Sequence, residues 1–238
     1  MRRQPQPSPT PLHSTSLPRS NQPELLDQPI EDLAALAENL RDLRFTDPLL
    51  GATRLLWQTL LPLLRQHHGR KQTLLDLACG AAEAPASIAR RARQHGLELK
   101  AFASDLLMPA LHLVRWPLPL LCHDLQRMPF ADHSIDYVTC MLALHHFEPA
   151  HARQALAEMQ RVARHAVIVI DLQRTWPAYL GARLLALGPW GRMARHDGPL
   201  SVLRAFTPQE LSQISADLPF RISSHPPLLL RAVALRTA

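Results

Sequence analysis

The sequence predicts an α/β fold: a doubly wound, seven-stranded, mostly parallel sheet with helices on both faces. Two observations carry this. Beyond Gly69, short apolar runs of strand character alternate with helical stretches, the signature of parallel strands joined by crossover helices. The first of those runs, Thr73–Leu77, leads into the small residues Ala78-Cys79-Gly80-Ala81-Ala82, a turn that opens a helix.

The elements follow in chain order. Residues 1–29 hold seven prolines among Ser, Thr and Gln, too little apolar surface to offset chain entropy, so a disordered tail is expected. Ile30, Leu33, Leu36, Ala37, Leu40 and Leu43 recur at helical spacing, with charged residues between them. A second helix is expected over Leu49–Leu64, and residues 30–69 together read as a helical cover. Residues 70–238 form the main domain. Its strands are expected at Thr73–Leu77, Leu99–Ala103, Leu118–Cys122, Ile135–Met141 and Ala166–Ile170. Thr207-Pro208-Gln209-Glu210 has capping-box spacing with proline at the first helical position. Strands near Phe220–Ser224 and Leu228–Arg236 close the sheet edge, and no internal repeat is present.

Composition narrows the class of function. Hydrophobic residues make up 47% of the 238 and charged residues 19%, a globular balance, and no apolar run reaches the roughly 18 residues that would span a bilayer. The net charge of +6 is spread along the chain rather than clustered, which disfavours a nucleic-acid partner. Cys79, Cys122 and Cys140 form no CxxC pair, so they fit unpaired thiols in a reducing cytoplasm. The thirteen histidines show no metal-ligand spacing, and no metal is expected. Nothing in the sequence sets an oligomeric state.

The chemistry concentrates at the strand ends. Asp76 precedes a turn with one glycine rather than G-x-G-x-x-G, and its carboxylate would repel a pyrophosphate. S-adenosylmethionine instead brings an ammonium and a sulfonium, which a carboxylate attracts. Asp105, 29 residues on, ends the second strand where a carboxylate can accept both ribose hydroxyls of an adenosine. Asp124 follows the third strand, and Met128-Pro129-Phe130-Ala131-Asp132 leads to the fourth.

These blocks, in this order, resemble a class I S-adenosylmethionine-dependent methyltransferase over roughly residues 70–172. Met128–Asp132 is similar to the LPFAD segment of the ubiquinone/menaquinone-biosynthesis-like subgroup. Arg195–Thr207 resembles a stretch of small bacterial methyltransferases found with type III polyketide synthase systems. The resemblance implies a Rossmann-like fold, S-adenosyl-L-methionine as cofactor and a small-molecule acceptor, aromatic, polyketide-like or quinone-like, methylated on oxygen or carbon. It places Asp76, Ala78, Cys79 and Gly80 at the methionine part, Asp105 at the ribose, and Asp124 with Leu125 at the adenine, with Leu106 also among the cofactor-binding residues. Ala78 stands where the family usually has glycine.

His145 and His146, just after the fourth strand, are the candidate bases, at the sheet edge where open α/β folds bind ligands. Asp171, ending the fifth strand, and Arg174, Arg195 and His196, in the irregular segment before the final helix, are candidate substrate contacts, with Gly198-Pro199 making a turn. Two other readings are a nucleic-acid methyltransferase and a degenerate cofactor-binding partner without catalysis.

Overall fold

The computed structural model describes residues 17–225 and the strand 231–237. Two helices lead the chain, α1 (Leu33–Leu50) and α2 (Ala52–Gln66). The alternating part follows as β1 (Gln72–Leu77), α3 (Glu83–Gln94), β2 (Leu99–Asp105), α4 (Met108–His112), β3 (Leu120–Cys122), β4 (Ile135–Met141), α5 (Pro149–Val162) and β5 (Ala163–Leu172). Three helices, α6 (Trp176–Leu185), α7 (Arg192–Arg204) and α8 (Pro208–Ile214), precede β6 (Arg221–His225) and β7 (Arg231–Thr237). The strands lie in the order β3-β2-β1-β4-β5-β7-β6. The first five run parallel, while β7 pairs antiparallel with β5 and β6.

Strand periodicity divides the core into two layers. Val138 and Cys140 of β4, with Val167 and Val169 of β5, face α5 through Leu156 and Met159. Tyr137, Ala166, Ile168 and Ile170 point the other way, against Leu56, Leu60 and Leu64 of α2 and Ile88 of α3. A sheet buried on both faces explains why its strands read as near-continuous apolar runs. The Met128–Asp132 segment is fixed by one guanidinium: Arg161 donates to the carbonyls of Met128 and Phe130 and to Asp132 and Glu158.

Two expectations are overturned. Residues 17–29, read as part of a disordered tail, form an ordered strap across the C-terminal edge of the sheet, with a 3₁₀ turn at Leu25–Asp27; residues 1–16 of that expectation lie outside the described residues. The entropy argument counted apolar burial, but charged side chains hold this strap by its backbone. Arg174 Nε donates to Leu17 O (2.6 Å), Arg19 Nε to Arg204 O (2.8 Å) and Arg204 to Gln22 O (2.6 Å). The Asp197 carboxylate accepts from the amides of Leu25 (2.9 Å) and Leu26 (3.2 Å), and the Arg19 guanidinium lies 4.2 Å from the Phe206 ring centre.

Second, the segment read as irregular around Gly198-Pro199 lies inside α7. Pro199 leaves the Arg195 carbonyl without its helical partner. Burial of Pro199, Leu200 and Val202 outweighs that loss. The helix also comes very near α1: a Cβ at Gly191 would sit 2.5 Å from Glu38 Oε2, and the Gly191 amide donates to Asp42 (2.7 Å). Tertiary packing thus overrides two local breakers.

Candidate functional site

The C-terminal ends of β1, β2, β3 and β4, the strap, α1, α6 and α7 enclose one cavity of about 930 Å³. It lies where ligands of open α/β sheets bind, beyond the carboxyl ends of the strands on either side of the β1/β4 switch point.

Seven of the eight residues expected to hold the cofactor line it: Ala78, Cys79, Gly80, Asp105, Leu106, Asp124 and Leu125. The β1–α3 turn is left-handed at Ala78 (φ 52°), Gly80 (φ 52°) and Ala82 (φ 55°), which curls the backbone around the Asp105 carboxylate. Asp105 accepts from the Gly80 amide (2.8 Å) and the Leu107 amide (2.9 Å), so its side chain is fixed before any ligand arrives. Asp124 accepts from the Gln126 amide (2.8 Å). Carboxylates facing a cleft of small and apolar residues suit an adenosine with a cationic tail, so the residues present fit the group. Beside Asp124, His123 Nε2 is buried without a partner among the described residues.

Asp76 is the exception. Its carboxylate turns away from the cavity wall and accepts from Thr139 Oγ1 (2.6 Å). Burial pushes its pKa up to about 7, with Asp105 adding to the rise and the Thr139 hydrogen bond opposing it. Burial and the neighbouring Asp76 also push the Cys79 thiol well up, so it stays protonated and is no nucleophile.

The other end of the cavity gathers Glu24, Asp27, His145, His146 and Arg204. His145 donates from Nδ1 to Asp171 Oδ1 (2.7 Å), and its amide donates to Asp171 Oδ2 (2.8 Å). His146 donates from Nδ1 to Asp27 Oδ1 (2.6 Å). Arg204 bridges Asp27 Oδ2 (2.8 Å) and the His146 carbonyl (2.8 Å). Burial opposes charge on His145, yet Asp171 and Glu24 raise its pKa overall, which marks the cluster as a place that draws positive charge. For Asp27, burial is outweighed by the hydrogen bond and charge of His146, which hold its carboxyl at about 2.

The expected substrate contacts fall elsewhere. Asp171 sits behind His145 as its orienting partner, and Arg174 is buried between the strap, Ala205 O and Glu210 (2.6 Å). Arg195 is exposed on α7, and His196 turns its Nδ1 to Asp197 (2.7 Å). None of the four lines the cavity. Sequence reasoning missed Glu24 and Asp27, hidden in a proline-rich stretch, and Asn39. Asn39 is 4% exposed and lines the cavity. The signal for it was its place on the polar-apolar boundary of the first helix, which periodicity alone does not single out.

Residues 74–166 match the family model of a methyltransferase domain. No curated protein matches the chain in sequence. Solved structures share its fold. The plantazolicin methyltransferase BpumL, in complex with a triazolic desmethylPZN analog and SAH, is 12% identical. That alignment covers 86% of this chain and 95% of that one at a TM-score of 0.60. Magnesium protoporphyrin IX methyltransferase (ChlM) from Synechocystis PCC 6803, with bound SAH, is 15% identical over 78% and 83% at 0.52. A SAM-dependent methyltransferase from Aquifex aeolicus is 15% identical over 75% and 88% at 0.50. At such identities the likeness establishes the fold. Together with the family match it makes residues 74–166 similar to a methyltransferase domain. Among the described residues no helix is long and apolar enough to cross a membrane.

Proposed function

We propose that this protein transfers the methyl group of S-adenosylmethionine to an oxygen or acidic carbon of a small aromatic or polyketide-like acceptor. The observation that carries the reading is the single cavity joining the Asp105 and Asp124 strand ends to the His145–His146 cluster. When bound, S-adenosylmethionine supplies an electrophilic methyl on a positive sulfur.

The chain's own residues supply the rest. Asp105, already oriented by two amides, accepts the ribose hydroxyls, while Leu106 and Leu125 flank the base. The strap and α1 form one wall of the cavity, and the water they displace from it strengthens the charge interactions inside. Alignment of acceptor and methyl is the largest contribution asked of the fold, worth up to ~7–11 kcal/mol. Activation of the acceptor falls to the cluster in which His145 and His146 commit their Nδ1–H groups to carboxylates and turn Nε2 toward Glu24. Carboxylates at both ends of the cavity, Glu24, Asp27, Asp105 and Asp124, would repel a polyanion, so a small acceptor is favoured over nucleic acid.

Calorimetric titration of S-adenosylmethionine and S-adenosylhomocysteine tests the reading. Both should bind the wild type saturably, and Asp105→Ala should lose about 100-fold or more, since each hydrogen bond to a charged group is worth ~1.5–3 kcal/mol. A folded wild type that binds neither ligand would sink methyl transfer and leave a degenerate binding partner.

A further inference from the structure

We infer that Glu24, His145 and His146 form a binding site for a divalent transition-metal cation, with zinc the ion best matched to the donors. His145 Nε2 lies 3.6 Å from Glu24 Oε1 and His146 Nε2 lies 3.8 Å from Glu24 Oε2. The three ligand atoms all fall within 4.8 Å of one another. A hydrogen bond between imidazolium and carboxylate would draw nitrogen and oxygen to about 2.7–2.9 Å. An ion with bonds of about 2.0–2.2 Å in tetrahedral array spaces its ligand atoms by about 3.3–3.5 Å. The two histidine–carboxylate separations are too long for the first and lie within about half an ångström of the second, and the whole set of ligand atoms stays inside 4.8 Å.

Three further features point the same way. Each imidazole gives its Nδ1–H to a carboxylate, His145 to Asp171 and His146 to Asp27, which fixes the tautomer that bares Nε2 and orients the ring. That carboxylate–histidine–metal arrangement is the usual outer shell of zinc ligands. Glu24 Oε1 is buried with no hydrogen-bond partner among the described residues, a cost that an ion would remove. Finally, Glu24, Asp27 and Asp171 carry three negative charges against the one guanidinium of Arg204 at the cluster, leaving two for a divalent cation to neutralise.

Three protein ligands with the fourth side open to the cavity is the pattern of catalytic rather than structural zinc. The role of the ion rests on the methyl-transfer reading, although its binding does not. The acceptor hydroxyl would occupy the open position and release its proton to solvent at lower pH than in water. The resulting oxyanion forms the new O–CH₃ bond as the C–S bond breaks, its electron pair passing to sulfur to give the neutral thioether.

The test uses the full chain, stripped with a chelator and titrated with Co²⁺ by visible absorption, then with Zn²⁺ by calorimetry. One Co²⁺ per chain should bind and be displaced by Zn²⁺. Glu24→Gln and His146→Asn should each weaken binding by at least about 100-fold, while His165→Asn, which breaks the stacked His67–His165 pair outside the cavity, should leave it unchanged. His146 is partly exposed and Gln matches Glu in shape, so circular dichroism will identify at least one folded variant. Absence of a one-to-one Co²⁺ complex, or its full retention in the folded variants, would overturn the site. S-adenosylmethionine titrated into the same samples separates the two ideas: lost cofactor binding with intact metal binding counts against methyl transfer alone.

Discussion

At one end of the cavity, each polar group comes from the end of its own strand or the loop just after it, so neighbours in space are neighbours in a short repeating order: β1 to Gly80, β2 to Asp105, β3 to Asp124. At the other end, Glu24 and Asp27 arrive from the strap, His145 and His146 follow β4, Asp171 lies in β5 and Arg204 ends α7. Arg204 and Gln22, which touch, are 182 positions apart. The first end is set by local geometry and the second by long-range clamping, which means that substitutions should separate them.

Arg204→Ala should have the largest effect. It leaves Asp27 and Glu24 without their guanidinium and frees the carbonyls of Gln22, His145 and His146, a loss of about 3–5 kcal/mol expected for a broken buried ion pair. The melting temperature should fall and limited proteolysis should cut between residues 17 and 29, while S-adenosylmethionine affinity changes less than about threefold. A loss below ~1 kcal/mol, or equal damage to both ends, would break the comparison.

Asp76 sharpens it by pH. Burial holds its carboxyl near 7 in the fold, against an ordinary value of 3.8, so the folded chain keeps a proton that the unfolded chain has released. Stability from this group therefore falls as pH rises from about 4 to about 7 and is level above. Between pH 5 and 8 the wild type should lose about 2–3 kcal/mol that Asp76→Asn does not lose, read from urea midpoints. Parallel curves for the two proteins would show that Asp76 is ionised throughout.

The smallest effect is expected at Ala78. Its left-handed backbone (φ 52°) costs a side chain ~1–2 kcal/mol, partly offset by the entropy that glycine loses on folding. Ala78→Gly should stabilise the chain by about 0.5–1 kcal/mol without weakening the cofactor site. Destabilisation would mean that the methyl group packs against something the turn needs.

The same contrast explains what was legible. Asp105 and Asp124 could be placed because a parallel strand delivers its last residue to a known edge, and apolar runs reveal parallel strands well. His145 and His146 were found for that reason too. Glu24 carried no signal, since the strap is held by Arg174, Asp197 and Arg204 acting on backbone groups, an arrangement without periodicity. Arg174, Arg195 and His196 stood out as candidate substrate contacts, and none of them lines the cavity. Asp197 and Arg204 anchor the strap, and Thr207 caps α8. The adjacency of two histidines gave no metal spacing because the third ligand is more than a hundred residues away.

The strap also sets an order of events during synthesis. Residues 17–29 leave the ribosome well before Asp197 and Arg204, which they grip. The strap's wall of the cavity therefore closes only after the sheet beneath it exists, and a nascent chain stalled before residue 197 would carry an open pocket with its doorway undocked.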